Sequence, residues 1–494
     1  MKKRSVAEIS ECKPHPYGAK PHGNMYFDKC NVNVFDVSLG NLRRLPNEFI
    51  LKIFGWLDAV DLATASAVSR SIYSFAHISN LWRDLVLAEF QGDFLFTDSW
   101  KDTFIKRRCP LFSGTHVPLV IPNCFSDTLY EPWMYAAALP IKASWLKKEN
   151  VDRREKLTYE EFVQEYQTKP VILTDIINKW EAEPSLRLAN LLTNGELNDV
   201  QFRVSATIEM KLKNFLQYAQ KSAGEERPLY LFDKSFVNKW PSLGNGYHMP
   251  EIFAQDFMKV LGEANRPDYR WLIMGPARSG SSFHVDPNSN FAWNATIAGR
   301  KKWIVYPKHL EPPLDADEVS LIQWFTRHYD DDEYKDQRYE CITNPGELIY
   351  VPNGCWHCVL NLDFTVAITH NVVMKHNLLD AIDFLVDDSA CEPGDGCQGA
   401  VGINISGDVP TSVIFPYKDR LAQKHGGKAD GCKCIQVKQD LRNAFIAGLD
   451  RDFPGLVHGL REERKARGLE KQSMWSKLGL VSEQANQESF SFNF

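Results

Sequence analysis

The segment SFHVDPNSNFAWNATIAGRKKWIVYP places His284 and Asp286 two positions apart on a stretch that reads as extended. Side chains alternate along a strand, so an i, i+2 pair projects to one side, close enough to share a ligand. The Asp286-Pro287 step then ends the strand. Further on, in GELIYVPNGCWHCVLNLDFTVAITHNVV, Glu347 to Val351 reads as a strand, Asn353-Gly354 as a hairpin turn and Cys355 to Leu360 as the strand returning from it. That return carries His357, where a barrel would bring it opposite the first pair. Two imidazoles and one carboxylate with further positions left open suit non-haem Fe(II), which must accept both O₂ and a chelating co-substrate. A structural all-cysteine zinc site is built otherwise. A lone His-x-Asp is weak and reads equally well as a strand-end histidine; the later histidine in its strand-turn-strand frame adds the weight.

Charge counting extends the set. Fe(II) with one carboxylate leaves about one positive charge, whereas a dicarboxylate such as 2-oxoglutarate brings two negative ones, so its distal end needs a buried cation. Gly299-Arg300 makes a turn and KKWIVYP opens the next strand. Alternation puts Lys301, Trp303 and Val305 on one face and Lys302, Ile304 and Tyr306 on the other. A lysine sharing a face with Trp and Val is costly unless an anion meets it. The period alone does not choose: Lys301 can be the inward residue with Lys302 in solvent, or the reverse.

The elements around these residues change character along the chain. Residues 1–40 are rich in Pro, Gly, Asn and Lys without periodicity and read as a flexible leader. Over 41–95, apolar residues recur at helical spacing in three short blocks: Pro46 or Asn47 starts the first, Asp58 sits in the following break, and Ser79-Asn80 opens the third. Residues 96–150 read as a linker or helical connection. Within 151–375, LTYEEFVQEYQT is a helix with Glu160-Glu161 in its first turn, VILTDII a strand, and from about 200 short strands with Gly, Pro and Asn turns dominate, as in a β-barrel or sandwich. Helical signal returns over 376–480, and 481–494 is a polar tail.

Bulk properties narrow the class. A chain of 494 residues exceeds what one core usually supports, so several domains are expected, and 44% hydrophobic with 24% charged residues is ordinary for a globular protein. The net charge of −6 argues against a general nucleic-acid clamp. No stretch of about 18 uninterrupted apolar residues marks a membrane span. Met1-Lys2-Lys3-Arg4 is followed by no apolar run, so a secretory signal is not expected. Eleven scattered cysteines fit reduced thiols in the cytosol or nucleus.

Together with PLYLFD, YRWLIMGPARSGSSFHVDP and PNGCWHCVLNLDFTVAITHN, in that order, these residues resemble the JmjC family of the cupin fold, most closely its arginine demethylase and lysyl hydroxylase subgroup, from about Tyr159 to Val373. The resemblance implies a double-stranded β-helix barrel with flanking helices, bound Fe(II), 2-oxoglutarate and O₂, and oxidation of a substrate C–H bond. It also implies roles. His284, Asp286 and His357 hold the metal; Lys301 meets the distal carboxylate, with Thr369 and Tyr230 as hydroxyl partners and Asn294 and Ser281 as further contacts. Ser281 stands where that subgroup has a threonine, and His370 where it has an amide.

Leu45-Pro46, Ile53-Phe54, Leu57, Asp61-Leu62, Val68-Ser69 and Leu81-Trp82 resemble an F-box, which implies docking to a Skp-type adaptor of a cullin ubiquitin ligase. The alternative is that these helices simply pack on the oxygenase domain. Together the two resemblances predict an α+β multidomain protein: a helical F-box, then the barrel. The pairing resembles plant and protist proteins assigned to histone arginine demethylation, which implies a nuclear location and a protein substrate such as a histone tail. A lysyl hydroxylase, or a ligase receptor whose barrel only recognises its target, are the alternatives.

Three further features invite assignment. Asp330-Asp331-Asp332-Glu333, with Glu340, forms either an acidic lip for basic peptides or a solvated loop. Cys391, Cys397, Cys432 and Cys434, with His425, have no strong zinc spacing. The basic run Arg461 to Arg467 reads as a solvated helix face.

Overall fold

A computed structural model describes residues 14–28, 32–114, 116–180, 195–205, 208–222, 225–313, 319–385 and 433–466. Its strands are β1 (Asp152–Arg154), β2 (Val171–Leu173), β3 (Gln201–Arg203), β4 (Glu209–Lys211), β5 (Leu231–Asp233), β6 (Arg270–Gly275), β7 (Gly280–His284), β8 (Phe291–Ala298), β9 (Lys301–Val305), β10 (Tyr339–Thr343), β11 (Leu348–Val351), β12 (His357–Asn361) and β13 (Thr365–Val372). Seven form one sheet in the order β1-β2-β11-β8-β13-β6-β5, and four form a second in the order β10-β9-β12-β7. Ile172, Ile349 and Val351 of the larger sheet interlock with Trp303, Val305 and Val359 of the smaller, so the two face each other across one buried layer. This is the β-sandwich with outer helices that the sequence led us to expect.

The alternation expected along β9 holds. Trp303 and Val305 enter the layer between the sheets, whereas Ile304 and Tyr306 face outward. Outward is not exposed here. The helix Leu321–Arg327 lays Trp324 and Phe325 over that face, and Tyr135 and Trp145 complete the cover. Each large ring so buried contributes roughly 1.5–3 kcal/mol relative to an exposed one.

One local expectation fails. Asn353-Gly354 does not close a hairpin, because β11 pairs with β2 and β8 while β12 pairs with β7 and β9. The chain crosses between sheets here, with Gly354 at φ 74°. The left-handed glycine that favours a tight hairpin also permits this wider crossing.

The N-terminal third is more ordered than composition suggested. Four helices, Asn47–Phe54, Ala59–Ala65, Arg70–Ala76 and Ser79–Phe90, stand where three blocks were expected. Asp58 caps the second by accepting from the Val60 and Asp61 amides, and Ser69, accepting from Ile72, makes the extra start. The described part of the supposed leader packs: Val34, Phe35 and Leu39 are buried, and Asn33 Nδ2 donates to the Phe125 carbonyl at 2.7 Å. The supposed linker packs too, through Phe96, Trp100, Phe104, Ile121 and Leu129, in one core that runs on to Trp293 and Ile368 of the barrel. Short helices and scattered aromatics lack the window length that periodicity needs. The helix Tyr159–Glu165 forms as read, with Thr158 and Glu161 in a capping box. At the far end the helices Leu378–Phe384, Lys433–Asp452 and Leu456–Ala466 pack together beside the barrel.

Candidate metal and co-substrate site

His284, the last residue of β7, pairs in register with His357, the first of β12, and their rings lie 4.2 Å apart. Gly280 makes this pairing possible, since a Cβ there would stand 1.9 Å from the Val359 carbonyl oxygen. The Nδ1 atoms lie 2.8 Å from the Ser282 carbonyl and 3.0 Å from the Cys355 carbonyl. From these contacts we assign the proton to Nδ1 in both rings, which leaves each Nε2 lone pair free. Burial and the neighbouring His357 pull His284 down to about 4, and burial takes His357 to about 4. Both are therefore neutral near pH 7, as a metal ligand must be.

Asp286 follows β7 and stands just before the turn Pro287–Ser289, without a capping bond from its side chain. Its Oδ2 lies 3.9 Å from His357 Nε2 and is buried without a hydrogen-bond partner, while Asn371 Nδ2 stands 3.5 Å from Oδ1. Burial raises the Asp286 carboxyl above the usual range, a cost that a cation at this point would offset. Ligand atoms of His284, Asp286 and His357 all lie within 4.8 Å of one another, and among the described residues no other such group of His, Cys, Asp or Glu occurs. Two free imidazole nitrogens and an orphaned carboxylate oxygen fit a divalent metal.

The same cavity contains every residue that the resemblance assigns to the co-substrate. Lys301, Thr369, Tyr230, Asn294 and Ser281 line it together with the three candidate ligands. Lys301 is 1% exposed, and burial alone pulls it down to about 7. Among the described residues no carboxylate pairs with it. Asn294 Oδ1 is buried and unpartnered, opposite Thr369 in the β8–β13 register. The Thr369 hydroxyl donates to the Trp293 carbonyl at 2.8 Å and keeps its lone pairs. Phe232, Trp271, Ile273, Trp303 and Val359 supply apolar wall. An unpaired buried cation opposite an unpaired metal-ligand set is the charge pattern that a chelating dicarboxylate requires.

Sequence reasoning missed Asn371, although it lies two residues beyond Thr369 on the same strand face. His370 points the other way, stacking on Trp293 with ring centroids 4.6 Å apart and placing Nε2 2.9 Å from the Tyr247 hydroxyl, outside the cavity. Neither lysine of the pair is in solvent, contrary to both readings of the alternation. Lys302 is fully buried on the outer face, where its Nζ lies 2.9 Å from Glu340 Oε2. The acidic lip fails in part for the same reason. Asp332 and Glu340 are buried on Arg338, at 2.6 and 2.9 Å, and only Asp330, Asp331 and Glu333 remain exposed. Within the basic run, Arg464 pairs with Asp380 and Asp383. Cys391, Cys397, Cys432 and His425 lie outside the described residues, as does the Cys434 side chain.

The family description "JmjC domain, hydroxylase" matches residues 271–372, and "F-box-like" matches 42–88. The chain is 42% identical to the Arginine-specific demethylase JMJ22 of Arabidopsis thaliana, over 76% of this chain and 77% of that one. It is 32% identical to the Bifunctional arginine demethylase and lysyl-hydroxylase psr-1 of Caenorhabditis elegans, over 45% and 60%. It is 34% identical to the 2-oxoglutarate and iron-dependent oxygenase JMJD4 of Danio rerio, over 36% and 45%. With the metal-binding geometry, the lysine and the cavity in place, the chain belongs to the JmjC family of iron- and 2-oxoglutarate-dependent oxygenases, and an F-box-like domain precedes its barrel.

Proposed function

We propose that His284, Asp286 and His357 hold Fe(II), that Lys301 takes the distal carboxylate of 2-oxoglutarate, and that the enzyme removes N-methyl groups from arginine in protein substrates such as histone tails in the nucleus. Iron with 2-oxoglutarate and O₂ supplies the oxidation of an unactivated C–H bond. The chain's own residues bind and orient. Ser282 and Cys355 carbonyls fix the imidazoles, and Asn371 steadies Asp286. Asn294, Thr369, Tyr230 and Ser281 offer polar contacts to the co-substrate, while the aromatic walls keep water away. The observation that carries the proposal is the single cavity in which an unpaired buried lysine faces three metal-ligand side chains. Arginine is favoured over other targets by similarity to the arginine-specific relative.

The test is mass spectrometry of methyl-arginine, methyl-lysine and unmodified peptides after turnover. Loss of 14 Da from methyl-arginine is expected; a gain of 16 Da on lysine alone would replace demethylation by hydroxylation.

The F-box-like helices support a second role as a ligase subunit. Phe49, Trp56, Val60 and Val68 are 56%, 82%, 72% and 72% exposed, an apolar surface suited to a Skp-type adaptor. Co-purification with such an adaptor, lost in Trp56→Glu, is the expected result; no co-purification of the wild type would contradict it.

A further inference from the structure

A second cavity, of about 410 Å³, lies where the helix Ser79–Phe90, the segment around Trp100 and the strand approach at 225–227 meet, and it shares no lining residue with the metal cavity. Its size falls within the range of small-molecule sites. Its walls include Tyr17, Trp82, Trp100 and Trp133. Among the charged side chains that line it, Arg83 and Glu225 do not satisfy each other. Arg83 is 8% exposed, and its Nε and Nη2 are buried without hydrogen-bond partners. These two atoms form the side-on edge of the guanidinium that grips a carboxylate in bidentate fashion. Glu225 accepts from the Tyr218 hydroxyl at 2.8 Å through Oε2, with the Trp100 indole a second donor beside the carboxylate, while its Oε1 is buried and makes no hydrogen bond of good geometry.

A buried guanidinium with an empty donor edge is costly, and a neighbouring carboxylate would ordinarily close on it. Here it does not. Burial pushes the Glu225 carboxyl up to about 7, and the nearby Arg83 offsets only part of that rise. Both groups line the one cavity, so a ligand with a carboxylate at one end and an N–H close by would meet both.

We infer that this cavity binds an amino- or amido-carboxylate with an aromatic body, its carboxylate on Arg83 Nε and Nη2, its N–H on Glu225 Oε1 and its ring among the tryptophans. Either a free amino acid or the C-terminal residue of a peptide carries this chemistry. Glu225 lies five residues before Tyr230, which lines the metal cavity, so occupancy would bear on the segment leading into the oxygenase site.

Calorimetric titration of the full chain with L-phenylalanine, N-acetyl-L-phenylalanine, hydrocinnamate and phenethylamine tests this. Binding of either or both of the first two is expected, with hydrocinnamate (no N–H) and phenethylamine (no carboxylate) at least about tenfold weaker. Preference for the free amino acid over the acetylated form identifies the former source, and the reverse preference the latter. Arg83→Met should weaken binding by at least about tenfold, and Glu225→Gln, which keeps the cavity's shape should Arg83→Met not fold, by a similar factor. No heat and no thermal shift with any of the four compounds at millimolar concentration would overturn the inference. So would binding that both variants leave unchanged.

Discussion

Lys301 and Lys302 are adjacent in sequence and equally buried, yet they belong to opposite faces of β9 and to opposite kinds of environment. Lys302 points away from the cavity into a closed ionic network, in which Glu340 bridges it to Arg338, and Arg338 in turn holds Asp332. Tyr329 donates to Glu340, and Tyr306 to Asp332. Lys301 points between the sheets, where no described carboxylate pairs with it. A buried charge that the chain itself satisfies is architecture. One that it leaves unsatisfied, beside an orphaned carboxylate oxygen and two free imidazole nitrogens, marks a place for something from outside.

The comparison is broken most sharply by removing charges one at a time. His284→Ala should reduce 2-oxoglutarate turnover by more than about a hundredfold while the circular dichroism of the fold persists, as the proposed role of metal ligand requires. Next, Lys301→Met and Lys302→Met should separate affinity from stability. Lys302→Met leaves Glu340 held by Arg338 and Tyr329 alone and is expected to cost about 1–3 kcal/mol of unfolding free energy. Lys301→Met should leave stability unchanged or slightly higher, since it removes an unpaired buried cation, yet weaken 2-oxoglutarate binding by about a hundredfold. Denaturant unfolding and calorimetry read the two effects independently; similar profiles for both variants would erase the distinction.

A smaller effect follows from the position of Lys301 at about 7. Below that pH the lysine is already charged and the dianion binds without proton exchange. Above it the neutral lysine must take up a proton on binding, so affinity should fall as pH rises, by about tenfold per unit. Titrations of the Mn(II)-loaded protein from pH 6 to 9 check the slope. The least effect is expected from Asn371→Ala, because its 3.5 Å contact with Asp286 is long. Metal affinity should drop by no more than about tenfold, measured by competition with a chelator.

Much of this site was legible before any coordinates. The i, i+2 spacing of His284 and Asp286, the charge demanded by a dicarboxylate and the family landmarks led to eight residues that the fold brings to one cavity. The period-2 pattern of β9 sorted its side chains correctly, but it assumed that the second face of a strand is wet. Trp324, Phe325 and Trp145, distant in sequence, made that face interior, which is why Lys302 and Glu340 were misread as surface charges. Asn353-Gly354 misled because local turn chemistry does not say which sheet the next strand joins. The N-terminal segments were misread because a five-residue helix such as Val34–Ser38, capped by Asn33, draws its order from tertiary contacts with residues near 125.

The His284, Asp286 and His357 cluster with Lys301 is proposed as a working oxygenase site. Incubation of the purified chain with Fe(II), ascorbate and 2-oxoglutarate, followed by quantification of succinate, tests it most directly. Succinate is expected from the wild type, even uncoupled from a protein substrate, none above background from His284→Ala, and from Lys301→Met far less than from the wild type until 2-oxoglutarate is raised about a hundredfold. Absence of succinate from the wild type, together with no 2-oxoglutarate-dependent thermal shift of the Mn(II)-loaded protein, would contradict it.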